Sequence, residues 1–329
     1  MTHSANDSLN TATFIVLATR NGGPYLHDQL DSLLEQSIGE WTLLARDDGS
    51  TDDTLGILHQ YAGRDNRIEV LPSLPEELGS ASRNFSGLLE AARQRGAAYV
   101  FCCDQDDVWA PGKLERMLAT LQEAEGAARS ACLLHHDLAV VDEWLQPIAE
   151  SYWSLMHITP GDERGPQRLL SRNEVTGCAL ACNRALLEIA LPIPNDAIMH
   201  DWWLALCAAY IGKLKFLDVP LVQYRQHPAN VIGARSFWSG LYHARDWADT
   251  WRKGNCELVT TVRQAEALHE RLGSRLGPAA EAGLCAWRDL LQANPGRRIS
   301  LLHKAGAWRH HWLLDTTLIL RALLLRSVD

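Results

Sequence analysis

In the first half of the chain, short apolar runs typical of strands alternate with segments whose apolar residues recur at helical spacing. Residues 13–19 are a short apolar run rich in β-branched side chains, and the turn-forming residues 20–24 follow it. Residues 25–36 carry leucines at helical spacing, which predicts a helix with one apolar face. A second apolar run at residues 41–45 predicts another strand.

The same alternation of predicted strands and helices continues to residue 136. The further predicted elements are a helix capped by residues 51–54, a strand at 67–71, a helix at 82–95, a strand at 97–103, a helix at 114–123 and a strand at 132–136. Strands that alternate with helices of ten or more residues indicate βαβ units and a parallel sheet.

Three polar clusters, at residues 19–23, 47–50 and 104–107, each follow directly after a predicted strand. In an open α/β sheet, positions just after parallel strands lie along one edge, and ligands bind at that edge. The pattern therefore gathers the acidic residues of this half in one place.

The second half predicts a helix from Arg184, a helix opening at residues 199–204 and an extended segment at 216–224. Beyond Ser236 the pattern is mostly helical. We therefore expect an α/β domain over residues 12–235 and a helical C-terminal extension over residues 236–329.

Composition and charge narrow the class of protein. Of 329 residues, 47% are apolar and 22% are charged, which is typical of a globular protein with a core. The net charge of −9 argues against a general nucleic-acid binder. Residues 236–329 carry 13 basic against 9 acidic side chains, and the preceding residues carry 18 against 31. The two parts are therefore expected to meet different partners.

The eight cysteines include no CxxC pair, and most lie in apolar surroundings, so free buried thiols in a reducing compartment are expected. Residues 1–13 are polar and resemble no signal peptide, and no run of 18 apolar residues occurs. These features predict a cytoplasmic protein.

The acidic sequence DQDD at residues 104–107 is the first candidate for chemistry. Three carboxylates in four residues repel one another strongly unless a positive charge lies among them. Mg²⁺ and Mn²⁺ prefer oxygen ligands and bridge carboxylates to diphosphates. The alternative is a solvated acidic turn that caps the helix after Pro111.

Four motifs, in this order, resemble the family 2 inverting glycosyltransferases of GT-A fold: TRNG at residues 19–22, RDDGSTDD at 46–53, SRN at 82–84 and CDQDDVW at 103–109. The bacterial rhamnosyltransferase-like members are the most similar in pattern, and the resemblance covers residues 12–235. It implies a GT-A α/β sheet and metal-dependent transfer from a nucleotide-sugar donor. The QxxRW signature of processive members is absent, which favours addition of one or a few sugars.

The resemblance also implies which residues hold the donor nucleotide. Thr19, Arg20 and Asn21 would line the nucleotide pocket at the end of the first strand. Asp48 would accept a hydrogen bond from the base, and Arg83 would help to hold the base or the phosphates.

A second set of residues is implied at the diphosphate and the metal. Asp104 would lie near the ribose and Asp106 would bind Mn²⁺ or Mg²⁺, while the role of Asp107 at the metal stays open. Related enzymes often carry a histidine that completes the metal shell at the position of His227. Arg225 would neutralise the charge of the diphosphate as that group leaves.

The sequence HDWW at residues 200–203 supplies the candidate base. Inverting transfer needs a group that deprotonates the acceptor hydroxyl, and the resemblance implies Asp201. Trp202 and Trp203 would wall the site and stack on a sugar, unless Asp201 is a helix cap and both indoles belong to the core. Glu174 and Thr176 are candidates to bind acceptor hydroxyls, with a plain loop as the alternative.

The C-terminal extension combines indoles with a basic, leucine-rich end. Residues 297–326 include six basic side chains, which favours a helix lying on an anionic membrane and an acceptor on a lipid carrier. A helical bundle packed on the catalytic domain, or a dimer contact, is the alternative, and both readings stay open. The aromatic residues are Trp238, Tyr242, Trp247, Trp251, Trp287, Trp308 and Trp312.

Two other functions remain as alternatives. A nucleotidyltransferase would normally carry a glycine-rich basic loop after the first strand, where this chain has only Arg20. A non-catalytic carbohydrate-binding module of the same fold would have lost its base or metal site. The resemblance suggests dTDP-L-rhamnose as donor, then UDP-hexoses, and a saccharide acceptor in bacterial surface polysaccharide synthesis. Linkage and oligomeric state are not indicated.

Overall fold

A computed structural model of the chain describes residues 12–73, 80–161, 165–228, 247–309 and 312–324. The elements of the first half are β1 (Thr13–Thr19), α1 (Gly23–Leu34), β2 (Thr42–Asp47), α2 (Thr54–Ala62), β3 (Ile68–Leu71), α3 (Ala81–Gln94), β4 (Tyr99–Cys103), β5 (Val108–Trp109) and α4 (Lys113–Glu125). Each predicted strand and helix of this half is present, with ends that lie within two residues of the prediction.

The second half begins with a strand longer than predicted. Its elements are β6 (Cys132–Val141), β7 (Pro147–Ala149), α5 (Tyr152–Met156), β8 (Leu180–Asn183), α6 (Arg184–Ala190), α7 (His200–Ile211) and β9 (Lys213–Arg225). Two 3-10 helices, Pro166–Leu170 and Gly177–Ala179, lie in the segment between α5 and β8. The extension contains α8 (Trp247–Leu272), α9 (Pro278–Arg288), α10 (Pro295–Ala305) and α11 (Trp312–Leu324).

The strands form one sheet in the order β3-β2-β1-β4-β8-β6-β9-β5, with β7 paired to β6. Strands β1 to β4 are parallel to one another, which confirms the predicted βαβ units. The second half departs from an all-parallel sheet, because β8 is antiparallel to both β4 and β6. A short buried apolar run carries no signal for its direction, so the sequence pattern did not reveal this.

Alternation along the strands divides the core between the two faces of the sheet. On β1, Ile15 and Leu17 pack with residues of α1, α2 and α4, while Phe14 and Val16 pack with α3, α6 and α7. The second cluster continues into the extension, where it includes Trp287 of α9. The described helices of the extension therefore pack on the α/β domain. This agrees with the alternative of a packed helical bundle. The predicted boundary at residues 235 and 236 lies outside the described residues.

The ends of the parallel strands come together at one edge of the sheet. Thr19 is in register with Asp47, and Leu17 with Cys103, so the polar loops after β1, β2 and β4 are neighbours. All eight cysteines are free thiols and six of them are buried. Among the described ranges, no helix has the length and apolar character needed to cross a membrane.

Candidate active site

The loops that follow β1 and β2 are fastened to each other by side chains. Thr19 Oγ1 donates to Asp47 Oδ1 over 3.1 Å, and Asn21 Oδ1 accepts the backbone N–H of Thr51 over 2.8 Å. Asn21 has a positive φ of 50°, a conformation that asparagine tolerates better than most residues. Two of the residues predicted to line the nucleotide pocket thus hold these two loops together.

Arg20 and Asp48 are brought together at the end of these two loops. Nη1 of Arg20 lies 3.5 Å from Oδ2 of Asp48, and the arginine side chain is 54% exposed while the aspartate is 8% exposed. The guanidinium therefore faces solvent at the sheet edge, beside a carboxylate held in place by the Asp48 N–H bond to the Thr19 carbonyl. A cation beside a fixed hydrogen-bond acceptor is an arrangement that could bind a nucleotide.

Gln105, which the sequence reasoning missed, clasps the loop after β1. Its Oε1 accepts the Arg20 N–H over 2.8 Å, and its Nε2 donates to the Arg20 carbonyl over 3.0 Å. The close approach depends on Gly22, where a Cβ would lie 2.2 Å from Gln105 Oε1. An amide in the middle of an acidic cluster, with a glycine in the preceding motif, is the signal that could have found it.

We expect Gln105→Ala and Gly22→Ala each to weaken nucleoside diphosphate binding by about tenfold. The first removes both hydrogen bonds, at about 0.5–1.5 kcal/mol each, and the second displaces the same amide. Because both act on one clasp, the double variant should bind about as weakly as the weaker single one. Calorimetric titration measures the affinities. Gly56→Ala, where a Cβ meets nothing within 4 Å, is the control; additive losses would contradict the clasp.

The carboxylates of the acidic cluster repel one another and are largely withdrawn from water. Burial raises the pKa of Asp104 to about 7, and the charges of Asp106 and Asp201 add to this rise. Burial also raises the pKa of Asp107 well above its ordinary value. Asp107 Oδ1 accepts the Arg225 N–H over 3.1 Å, while its Oδ2 is buried with no hydrogen-bond partner among the described residues.

The arrangement offers ligands to a cation. Carboxylate oxygens of Asp104 and Asp107 and the Cys178 sulfur lie within 4.8 Å of one another. Asp106 Oδ2 lies 2.8 Å from Nε2 of His227, which stacks on Tyr25 with ring centroids 4.5 Å apart. The structure thus joins two predicted metal ligands that are 121 residues apart in the chain.

Arg225 is buried beneath this cluster, and three protein oxygens hold its guanidinium. Nε donates to the Asp106 carbonyl over 2.7 Å, Nη1 to the Glu143 carbonyl over 2.8 Å, and Nη2 to Asp28 Oδ2 over 2.8 Å. The Nε bond holds the backbone of the cluster at Asp106, and the other two hold the guanidinium in place. Arg83, in contrast, is exposed in the first turn of α3, and its backbone N–H is capped by Ser80.

Asp201 is buried in the first turn of α7, close enough to Asp104 for their charges to interact. Its carboxylate accepts hydrogen bonds from the Asn173 side chain and from the backbone N–H groups of Trp202 and Gly177. Burial nevertheless raises the pKa of Asp201 to about 7. The candidate base thus lies next to the candidate donor site, with a titration range suited to proton transfer.

The two indoles after Asp201 belong to the core. Trp203 is fully buried and donates from Nε1 to the Ala190 carbonyl over 2.8 Å, and Trp202 donates to the Leu169 carbonyl over 2.6 Å. The prediction that these rings stack on a sugar is therefore wrong for Trp203, whose ring has no open face. A tryptophan pair in a sequence fits a sugar platform and a core equally well.

Lys113 is a second residue that sequence reasoning missed. Its side chain is fully buried, lies 3.5 Å over the ring of Trp109, and donates from Nζ to the Cys178 carbonyl over 2.7 Å. Burial lowers the pKa of Lys113 to about 8. A lysine at the start of a helix opposes the helix dipole, and this is the only local hint of a special role.

The segment before β8 carries the candidate acceptor residues. Glu174 is buried and forms an ion pair with Arg168, with Nε to Oε2 at 2.8 Å. Thr176 is partly exposed, and its backbone carbonyl accepts the Ala179 N–H over 3.0 Å. The carboxylate of Glu174 therefore already has a protein partner.

The fold and the site together are those of a glycosyltransferase. Residues 14–188, more than half of the chain, match the family model described as glycosyl transferase family 2. The chain belongs to this family.

Named relatives come from bacteria. The dTDP-rhamnosyl transferase RfbG of Shigella flexneri is 26% identical over 239 residues, which cover 69% of this chain and 76% of RfbG. TuaG of Bacillus subtilis, a glycosyltransferase assigned to teichuronic acid biosynthesis, is 39% identical over 110 residues, or 33% of this chain and 41% of TuaG.

Solved structures confirm the predicted GT-A fold. Residues 1–349 of S. aureus TarS superpose with a TM-score of 0.53 at 15% identity, with 90% of each chain covered. The same protein in complex with UDP-GlcNAc gives a TM-score of 0.51 at 16% identity, with 92% of each chain covered. At this identity the likeness establishes the fold alone.

Proposed function

We propose that this enzyme transfers a single sugar, with inversion, from a nucleotide-diphosphate sugar to a saccharide acceptor. The observation that carries the proposal is the meeting of the buried carboxylate of Asp201 with the acidic cluster at one edge of the sheet. A donor held by the cluster would present its anomeric carbon beside that carboxylate.

The loops after β1 and β2 bind the nucleotide in this proposal. Arg20 and Asp48 contact it at the rim, Thr19 and Asn21 hold the pocket in shape, and Arg83 reaches it from the start of α3. The name of RfbG favours dTDP-L-rhamnose as the donor. The UDP-GlcNAc complex of TarS keeps a UDP-hexose as the second candidate.

The residues present fit a divalent cation, Mn²⁺ or Mg²⁺. A cation is supported by Asp107 Oδ2, which is buried with no hydrogen-bond partner among the described residues, and by the mutual repulsion of Asp104 and Asp106. Asp106, His227, Asp104 and Asp107 would hold the ion. Bound there, it would neutralise the donor diphosphate.

The chain's own residues then handle the proton and the orientation. Asp201 accepts the proton of the acceptor hydroxyl as that oxygen bonds to the anomeric carbon, and the bond to the diphosphate breaks with its electron pair. Asn173 and the Gly177 N–H orient the Asp201 carboxylate. For Arg225 we propose a positioning role at the Asp106 backbone, rather than direct contact with diphosphate.

The proposal extends to the acceptor and to the place in the cell where the enzyme meets it. Family membership favours glycosyl transfer over nucleotidyl transfer and over a binding module. We propose a lipid-linked saccharide acceptor met at the cytoplasmic face of the membrane, since α11 exposes Trp312, Leu313, Leu320 and Leu324. Vesicle sedimentation and analytical ultracentrifugation decide whether this face meets lipid or a second copy.

A panel of nucleotide sugars with Mn²⁺ tests the donor proposal. We expect dTDP-L-rhamnose to raise the melting temperature most and UDP-hexoses less, because a ligand at a hundredfold excess over its Kd adds about 2.7 kcal/mol of stability. EDTA should remove most of the shift. No stabilisation by any nucleoside diphosphate would count against the whole proposal.

A further inference from the structure

The helical extension forms hydrogen bonds with Ser171, which begins a segment whose later residues bond to Asp201. Between α10 and α11, the Ala307 carbonyl accepts a hydrogen bond from Ser171 Oγ over 2.7 Å. Nη2 of Arg309 donates to the Ser171 carbonyl over 2.7 Å. Ser171 is fully buried, so both of these bonds are shielded from water.

Arg309 is itself held by two helices of the extension. Its backbone N–H donates to Asp315 Oδ1 over 2.7 Å, and its Nη2 lies 3.7 Å from Glu257 Oε1 on α8. The side chain is 11% exposed. A nearly buried cation needs such partners, and their geometry fixes where the guanidinium meets Ser171.

Shortly after Ser171 the chain supplies two hydrogen-bond donors to the candidate base. Arg168 and Glu174 close the segment with their buried ion pair, and Asn173 and the Gly177 N–H bond to the Asp201 carboxylate. A displacement at Ser171 would therefore reach the two groups that orient Asp201.

We propose that residues 307–309 of the extension position the segment 171–177, and through it the base and the acceptor. Arg309 is thus a positioning residue for transfer, and the extension is part of the catalytic unit. The inference rests on the proposed function. Well-oriented groups matter because a misplacement of about 1 Å costs roughly 10²-fold in rate.

The experiment compares Arg309→Met with Arg298→Met in the full chain. Arg298 is also buried, but the carbonyls of Leu291, Ala293 and Ala322 that accept its bonds all lie within the extension. We expect Arg309→Met to lower kcat/KM for the acceptor at least tenfold, with the Kd of the donor changed less than twofold. Arg298→Met should leave both within threefold, and Arg309→Lys should recover part of the loss.

Amide hydrogen exchange supplies a readout that does not need activity. Exchange at residues 172–178 should speed up in Arg309→Met and not in Arg298→Met. If Arg309→Met does not fold, Ser171→Ala, which removes only the bond to Ala307, should show the same pattern more weakly. Unchanged acceptor kinetics and unchanged exchange would overturn the inference. An inactive wild-type chain would instead refute the proposed function, with the exchange result still deciding the positioning role.

Discussion

Asp201→Asn should abolish sugar transfer while the protein keeps its affinity for the donor. Asparagine matches aspartate in size, so the fold and the nucleotide pocket should be unchanged, but its amide cannot accept the hydroxyl proton. General-base catalysis contributes about 10²–10⁴-fold to the rate, and we expect kcat to decrease by a factor within that range. Release of the nucleoside diphosphate measures kcat, and calorimetry measures the Kd of the donor.

The pH dependence gives the same prediction a second test. Because burial raises the pKa of Asp201 to about 7, the carboxyl is protonated below that pH and cannot act as a base. The rate at saturating donor and cation should therefore rise as pH increases through about 7 and then level off. The residual rate of Asp201→Asn should lack this limb.

Asp196, an exposed aspartate shortly before α7, provides the control for Asp201. Asp196→Asn should transfer sugar at the wild-type rate. If Asp201→Asn kept more than about a tenth of wild-type activity, another group would have to be the base, and the proposed mechanism would be wrong.

The first half of the fold was predictable because each signal is local. The strand at residues 13–19, the turn after it and the helix that follows are separate patterns within a few residues, and the parallel arrangement follows from their alternation. The gathering of residues 19–23, 47–50 and 104–107 needed only the rule that parallel strands end at one edge.

The clasp of Gln105 on Arg20 was not predictable, because it joins positions 85 residues apart and carries no periodicity. The bond from Lys113 to Cys178 spans 65 residues for the same reason. Pairings of this kind appear only after the chain has folded.

The environment of a side chain was equally hard to predict from the sequence. Trp203 and Arg225 belong to types that often face ligands, yet one is in the core and the other lies under the acidic cluster. Sequence shows that a charge or a ring exists, while tertiary packing decides whether it meets substrate or protein.

Asp106→Asn should remove the dependence of donor binding on the divalent cation. Asp106 is a partly exposed carboxylate of the cluster and lies beside His227, so it is placed to contact an ion shared with the diphosphate. An amide in its place offers a weaker, neutral ligand. We expect the Kd of the donor in Mn²⁺ to rise at least tenfold, about 1.4 kcal/mol. In EDTA, wild type and variant should bind the donor equally weakly, as calorimetry would show.

Asp107→Asn is the matched control and addresses the open question of that residue's role. Burial raises the pKa of Asp107 well above its ordinary value, and an amide in its place keeps the size of this buried side chain while removing its charge. Its Oδ1 can still accept the Arg225 N–H after the change. If Asp106 is the principal ligand, Asp107→Asn should raise the Kd of the donor several-fold less than Asp106→Asn does. Equal losses would make Asp107 an equal ligand, and a loss confined to Asp107→Asn would move the ion from the open side of the cluster to its buried side.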